Sequence, residues 1–380
     1  MPKKLQVAYG FDDVALIPAS VTVNPEETDI SFKLGKLSFE LPVMASAMDA
    51  VVNPKVAGLF AKLGGLAVLN LEGIYTRYEN PEEALNKICT APKEDCIALI
   101  QKVYSEPIKE HLIEKCIHAM RKEGAVAAVA CTPARALKLY TVMEKAGAEI
   151  LFVQSSVTTA EYKSKQGTTL SFKELCKKAR IPVVAGNTVT YEASLALMKS
   201  GVEAILVGVG PGAACTTRRV LGIGVPQITA IMDVARARAD FLKKNKRRVS
   251  VIGDGGMRNG GDVAKAFAAG ADAVMLGSPF ASSAEAPGRG YHWGMATGHA
   301  GLPRGTRIHV GTRAPLEQIL TGPSTTDDGS LNLFGALRHA MGVCGAKTIR
   351  EMQNASLVIA PSFGTEGKAA QRDQHMGMGK

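Results

Sequence analysis

The chain has 380 residues, 46% of them apolar and 5% aromatic, with 45 basic against 35 acidic side chains and a formal net charge of +10. That length can bury a large core, no apolar stretch approaches the ~18 residues of a membrane span, and Met1-Pro-Lys-Lys4 leads into no signal core, so a soluble, cytoplasmic protein is expected. Seven cysteines, odd in number and without Cys-x-x-Cys spacing, argue against a disulfide framework or a zinc site.

Eight short apolar runs follow one another along the chain: Leu41–Ala45, Gly65–Leu69, Ala125–Ala130, Glu149–Val153, Ile181–Ala185, Ala204–Val209, Val249–Gly253 and Asp272–Leu276. Each reads as a buried parallel strand, and helical patterns such as Thr190–Ser200 and Gly261–Ala269 stand between most of them. Eight alternations predict the α/β class and a (β/α)8 TIM barrel, with 1–380 as a single catalytic domain. Two stretches break the rhythm. Residues 71–123, charged and helix-prone, predict a helical excursion between the second and third strands; residues 279–330, rich in Gly and Pro with little periodicity, predict a mobile flap. The polar tail 362–380 is expected to need a neighbouring subunit to order it. The basic run Lys243-Lys-Asn-Lys-Arg-Arg248 precedes the seventh strand, on the barrel's rear face, and without interleaved aromatics reads as a solvated face and not as a nucleic-acid site.

The chemistry concentrates where barrel strands end. After the sixth strand, Gly210-Pro-Gly-Ala-Ala-Cys-Thr-Thr-Arg218 puts a lone Cys215 on a glycine-bounded loop, followed by Thr216 and Thr217, with Arg218 and Arg219 able to favour a thiolate. A buried strand-end cysteine is the plainer alternative. Glycines in Gly253-Asp254-Gly255-Gly256 and Gly277-Ser278 let backbone N–H groups approach a phosphate, and Asp254 can accept from a ribose diol; a phosphorylated nucleoside suits both, against glycines that serve only as turns. Asn187, at the end of the fifth strand, can touch a second ligand. A flavin-mononucleotide barrel would use the same loops without needing Cys215.

These segments resemble the IMP dehydrogenase/GMP reductase family, in particular a short IMP-dehydrogenase-related subgroup. Pro211–Arg218 with Gly222-Ile-Gly-Val-Pro-Gln227 is similar to the family's catalytic loop, and Ser46-Ala-Met-Asp49, Val184-Ala-Gly-Asn187, Asp254-Gly-Gly256 and Leu276-Gly-Ser278 match in the family's order. The resemblance implies that Cys215 attacks C2 of a purine nucleotide while a nicotinamide cofactor exchanges a hydride, and that Thr217 activates the water or ammonia at C2. It implies Asp254 on the ribose hydroxyls, and Gly255, Gly256, Gly277 and Ser278 on the phosphate. Ser46, Met48 and Met295 complete the nucleotide site, with Met295 facing the base. Asn187, Gln154 and Ser155 would touch the cofactor. Carbonyls of Gly210, Gly212 and Cys215 would hold a potassium ion, with Glu366 and Gly367 lent by a neighbour in a homotetramer.

Ala213 stands where the family has a phosphate-binding serine, Gln154 where it has an acidic cofactor contact, and His292 and Trp293 where it has tyrosine and arginine. Residues 71–123 are too few for the dehydrogenases' paired nucleotide-sensing insert. Residues 297–316 contain Arg304, Arg307 and Arg313 but no tyrosine for the hydrolytic Arg-Tyr pair, and no glutamate for the reductase flap occurs between Ala286 and Leu316. The expected reaction is reductive deamination of GMP by NADPH to IMP and ammonia, a purine-salvage step. IMP dehydrogenase, oxidising IMP to XMP with NAD, and a non-catalytic purine nucleotide-binding regulator are the alternatives.

Overall fold

The computed structural model describes residues 5–161, 170–295, 305–362 and 364–379. Eight parallel strands close into a barrel: β1 (Val43–Ala45), β2 (Leu66–Asn70), β3 (Ala128–Cys131), β4 (Ile150–Gln154), β5 (Val183–Thr188), β6 (Ala204–Val207), β7 (Ser250–Asp254) and β8 (Ala273–Leu276). Each pairs with the next in sequence, and β8 returns to β1 through Val274 opposite Val43 and Leu276 opposite Ala45. All eight expected strands are present.

Their near-continuous apolar character has a physical cause: both faces are covered. Met44, Val68, Phe152, Leu206 and Ile252 belong to one buried cluster, the barrel interior, which the hairpin Phe32–Leu34 and Leu37–Phe39 also joins. Alternate residues such as Ala67 and Leu69 pack outward against the helices. Helix Tyr191–Lys199 starts where Thr190 Oγ1 accepts the Ala193 N–H at 3.3 Å, and Gly260–Ala268 where Asn259 caps Asp262 at 2.9 Å, both within a residue of the sequence pattern.

The excursion at 71–123 holds three helices, Pro81–Thr90, Cys96–Val103 and Glu110–Lys122. Residues 279–330 are less irregular than the sequence suggests. A short helix, Ser278–Ala281, leads in; Tyr291–His292 pairs antiparallel with Ile308–His309, and Leu316–Thr321 is helical. Arg304 and the rest of 296–304 lie outside the described residues. Within the tail, Ala369–Asp373 is helical, and the Gly377 N–H donates to Asp327 Oδ2 at 3.1 Å.

The basic run is only partly a solvated face. Arg247 donates to the carbonyls of Val202 and Met198 at 2.8 and 2.9 Å, and Arg248 pairs with Asp272, so two of its cations are structural. Among the described residues no helix is long and apolar enough to cross a membrane.

Candidate active site

A cavity of about 630 Å³ opens at the C-terminal ends of the strands, within the range of small-molecule sites. Ser46 and Met48 reach it from the loop after β1, Gln154 from the end of β4 with Ser155 just beyond it, and Asn187 from β5. Gly210, Gly212, Cys215 and Thr217 enter from the segment after β6; Asp254 ends β7 and Gly255 and Gly256 follow it, and Gly277 and Ser278 follow β8. Met295 lines the wall contributed by the stretch after Tyr291–His292. Glu366 and Gly367 are exposed in the tail and do not line the cavity.

The loop that carries Cys215 is a tight structure. Its Cys215 N–H donates to the Gly212 carbonyl at 3.0 Å, and Cys215 Sγ stands 3.2 Å from Thr217 Oγ1. Cys215 is exposed while Thr217 is buried at the start of helix Thr217–Leu221, so the thiol has one fixed hydroxyl neighbour and an open side. Gly210 has φ +76°, and a Cβ there would lie 2.5 Å from Arg218 Cγ. Arg218 Nε and Nη2 bond the carbonyls of Val209 and Val225 at 3.3 and 2.9 Å, so this side chain clamps the loop. The chain returning at 305 lies on this loop, with the Thr306 N–H bonded to Ala214 O at 3.0 Å.

Asp254 sits deep in the barrel mouth, part of its surface open to the cavity. Asn187 Nδ2 and Gln154 Nε2 both donate to its Oδ2, at 2.7 and 3.0 Å. Burial pushes the carboxyl up to about 6, and the two amide hydrogen bonds hold it from rising further. Gln154 Oε1 is buried and has no hydrogen-bond partner among the described residues. Below the carboxylate, Gln227 Nε2 bridges Val207 O at 2.7 Å and Asp254 O at 3.1 Å, tying β6 to β7; Gly208 makes room, since a Cβ there would lie 2.3 Å from Asp254 O.

Opposite, Gly255 and Gly256 adopt φ +77° and +85°, and Ser278 Oγ lies 3.0 Å from His292 Nε2. Sequence reasoning passed over several wall residues. Arg258 and Arg313 line the cavity while paired to Asp12, Asp262 and Asp328, and behind the wall Gln227 holds β6 to β7. Behind the wall, Trp293 Nε1 donates to Tyr104 Oη at 2.7 Å and that hydroxyl donates to Asp49 Oδ2, joining the excursion to the loop after β1. No local pattern announces such a chain.

A closed parallel barrel with an exposed cysteine, a buried carboxylate and glycine loops at its strand ends defines the class: an α/β barrel with a small-molecule site at the C-terminal ends of its strands. The IMP dehydrogenase / GMP reductase domain family matches residues 8–298, and the chain belongs to that family of nucleotide-dependent oxidoreductases. It is 38% identical to an uncharacterized oxidoreductase of Mycolicibacterium smegmatis, covering 94% of this chain and 98% of that one. It is 31% identical to the inosine-5'-monophosphate dehydrogenase of Borreliella burgdorferi, covering 93% and 94%. The crystal structure of an IMP dehydrogenase/GMP reductase-like protein from Corynebacterium glutamicum superposes with a TM-score of 0.90 at 33% identity, covering 95% and 96%.

Proposed function

We propose that this chain is a GMP reductase, converting GMP and NADPH to IMP, ammonia and NADP. The observation that carries the reading is the Cys215–Thr217 pair, 3.2 Å apart, on a cavity wall whose only carboxylate among the described residues is Asp254 and which holds no described tyrosine. Asp254 is occupied by two amides, and no tyrosine stands between residues 297 and 316. A wall without the tyrosine of a hydrolytic Arg-Tyr pair among its described residues suits a reaction that needs no water at C2.

In this reading Cys215 Sγ bonds to C2 of the guanine as the amino group leaves, the thiol proton passing through the Thr217 hydroxyl to complete ammonia. NADPH supplies the hydride that C2 then receives, and the Cys215–C2 bond breaks to return the thiolate and IMP. Asp254 accepts the ribose hydroxyls on the oxygen that neither amide engages. Gly255, Gly256, Gly277 and Ser278 cradle the phosphate, and Ser46, Met48 and Met295 hold the base. The unpartnered Gln154 Oε1 fits a cofactor ribose hydroxyl, with Asn187 and Ser155 beside it. The backbone carbonyls of Gly210, Gly212 and Cys215 share one loop, an oxygen set suited to potassium; Glu366 and Gly367 from a neighbouring copy complete it in a homotetramer.

The test incubates pure protein with GMP and NADPH, then with IMP and NAD, each in potassium and in sodium. The reading expects GMP-dependent NADPH loss, faster in potassium, with a turnover lowered about 10²–10⁴-fold by the missing flap glutamate. Oxidation of IMP is the second reading, favoured by the relatives named as dehydrogenases. Robust IMP-dependent NADH formation without GMP-dependent NADPH loss makes it the correct one, and tight GMP binding without turnover makes the chain a regulator.

A further inference from the structure

His292 occupies the cavity wall with 1% of its surface exposed. Its Nε2 lies 3.0 Å from Ser278 Oγ, while Nδ1 is buried with no hydrogen-bond partner among the described residues. Burial pulls the imidazole down to about 4, so at neutral pH the ring carries one proton on one of its two nitrogens.

The geometry selects the nitrogen. A proton on Nδ1 would be a buried donor facing no acceptor among the described residues, and it would leave Nε2 to accept the only proton Ser278 has. A proton on Nε2 is donated to Ser278 Oγ, and the serine O–H is then turned away from the ring toward the cavity. A phosphate dianion offers acceptors only, so these two tautomers present it with opposite faces of the same hydroxyl: a repelling lone pair in the first, a donor in the second.

We infer that His292 is a positioning residue which, by donating its Nε2–H to Ser278 Oγ, fixes Ser278 as a hydrogen-bond donor to the phosphate of the bound nucleotide. The inference rests on the phosphate cradle proposed above. It acts on the phosphate end alone and leaves the base and ribose contacts untouched.

A double-mutant cycle of His292→Phe and Ser278→Ala, read by calorimetry with GMP and with guanosine, tests it. His292→Phe is expected to weaken GMP about tenfold, the worth of one hydrogen bond to a charged group, and to leave guanosine unchanged. In the Ser278→Ala background it should cost nothing more, and His292→Gln, which keeps an N–H near the Nε2 position, should recover part of the loss. Equal losses for GMP and guanosine, or additive losses across the cycle, overturn the inference. The imidazole nitrogen shifts of the wild-type protein decide independently of folding of the variants: a neutral ring protonated at Nε2 supports the inference, and protonation at Nδ1 or at both nitrogens refutes it. Wild-type protein that binds GMP no better than guanosine breaks the phosphate cradle itself, whatever the tautomer.

Discussion

Asp272, just before β8, and Asp254, at the end of β7, are carboxylates at opposite ends of the barrel, and they meet opposite kinds of partner. Asp272 receives Arg238 Nη1 at 2.7 Å, the Val251 N–H at 2.8 Å and Gln353 Nε2 at 3.0 Å, with Arg248 also bonded to it. Burial alone would raise its carboxyl, but the two guanidinium groups outweigh that and hold it below the ordinary carboxylate range. Asp254 is met by neutral amides only, and burial wins. Charge matched by charge at the rear serves the fold. Charge left to dipoles at the front leaves a carboxyl that burial raises at the cavity wall.

The largest expected effect lies at the front end. Cys215→Ala should lower turnover about 10³–10⁶-fold, because no second group can form the bond to C2, while GMP binding and the melting temperature stay near wild type. Calorimetric binding beside a GMP-dependent NADPH assay measures both; a variant with near-normal turnover would remove the cysteine from the mechanism.

At the rear end the effect should move from activity to stability. Asp272→Asn leaves Arg238 buried without its counter-charge and should cost about 3–5 kcal/mol in denaturant unfolding, with the specific activity of the folded fraction unchanged. The sign with pH follows from the lowered carboxyl: its stabilisation is present above the ordinary 3.8 and is lost as pH falls through the lower folded value. Asp272→Asn should therefore shrink the acid limb of the stability curve. An Asp272→Asn protein as stable as wild type would erase the contrast between the two ends.

Asp254→Asn should do the reverse. Because the folded carboxyl is raised from 3.8 to about 6, its protonated form favours folding, and that contribution is lost as pH climbs through this window. The variant should flatten the decline of apo-protein stability between these values while raising the KM for GMP about 10²-fold through lost ribose acceptance. In the wild type, kcat/KM for GMP should fall about tenfold per unit below about pH 6, as the carboxylate takes up its proton. A flat profile from pH 5 to pH 8 would put the ribose contact elsewhere.

What the sequence made legible separates along the same line. The eight strands were readable because a doubly covered parallel strand writes itself as a local apolar run, and the Cys215 loop at the cavity because its glycines, Cys215 and Thr217 lie within a few residues. The pairing of Gln154 and Asn187 on Asp254 was not readable as a geometry: these side chains are 100 and 67 residues from their partner and converge only when the barrel closes. Arg247 and Arg248 looked like solvent-facing charge because the carbonyls and the carboxylate that hold them come from other strands' ends. The pairing of Tyr291–His292 with Ile308–His309 was hidden in a Gly- and Pro-rich stretch, two residues per strand being too short to show alternation.

The smallest expected effect tests whether the excursion belongs to the front end. Tyr104, at the end of helix Cys96–Val103, accepts from Trp293 Nε1 at 2.7 Å and donates to Asp49, so one hydroxyl joins the excursion, the loop after β1 and the wall that carries Met295. Tyr104→Phe keeps the ring and its packing but removes both hydrogen bonds. Loss of about one net hydrogen bond at a positioning residue predicts a KM for GMP raised about 2–10-fold with kcat nearly constant. Trp293 is the only tryptophan in the chain, so its fluorescence reports this contact without interference. The emission of the free protein should shift in Tyr104→Phe, and the wild-type signal should change when GMP is added, since Trp293 stands two residues from Met295 on the cavity wall. If Tyr104→Phe moves neither the emission nor KM, the excursion packs beside the site without bracing it, and the front end is built by the strand-end loops alone.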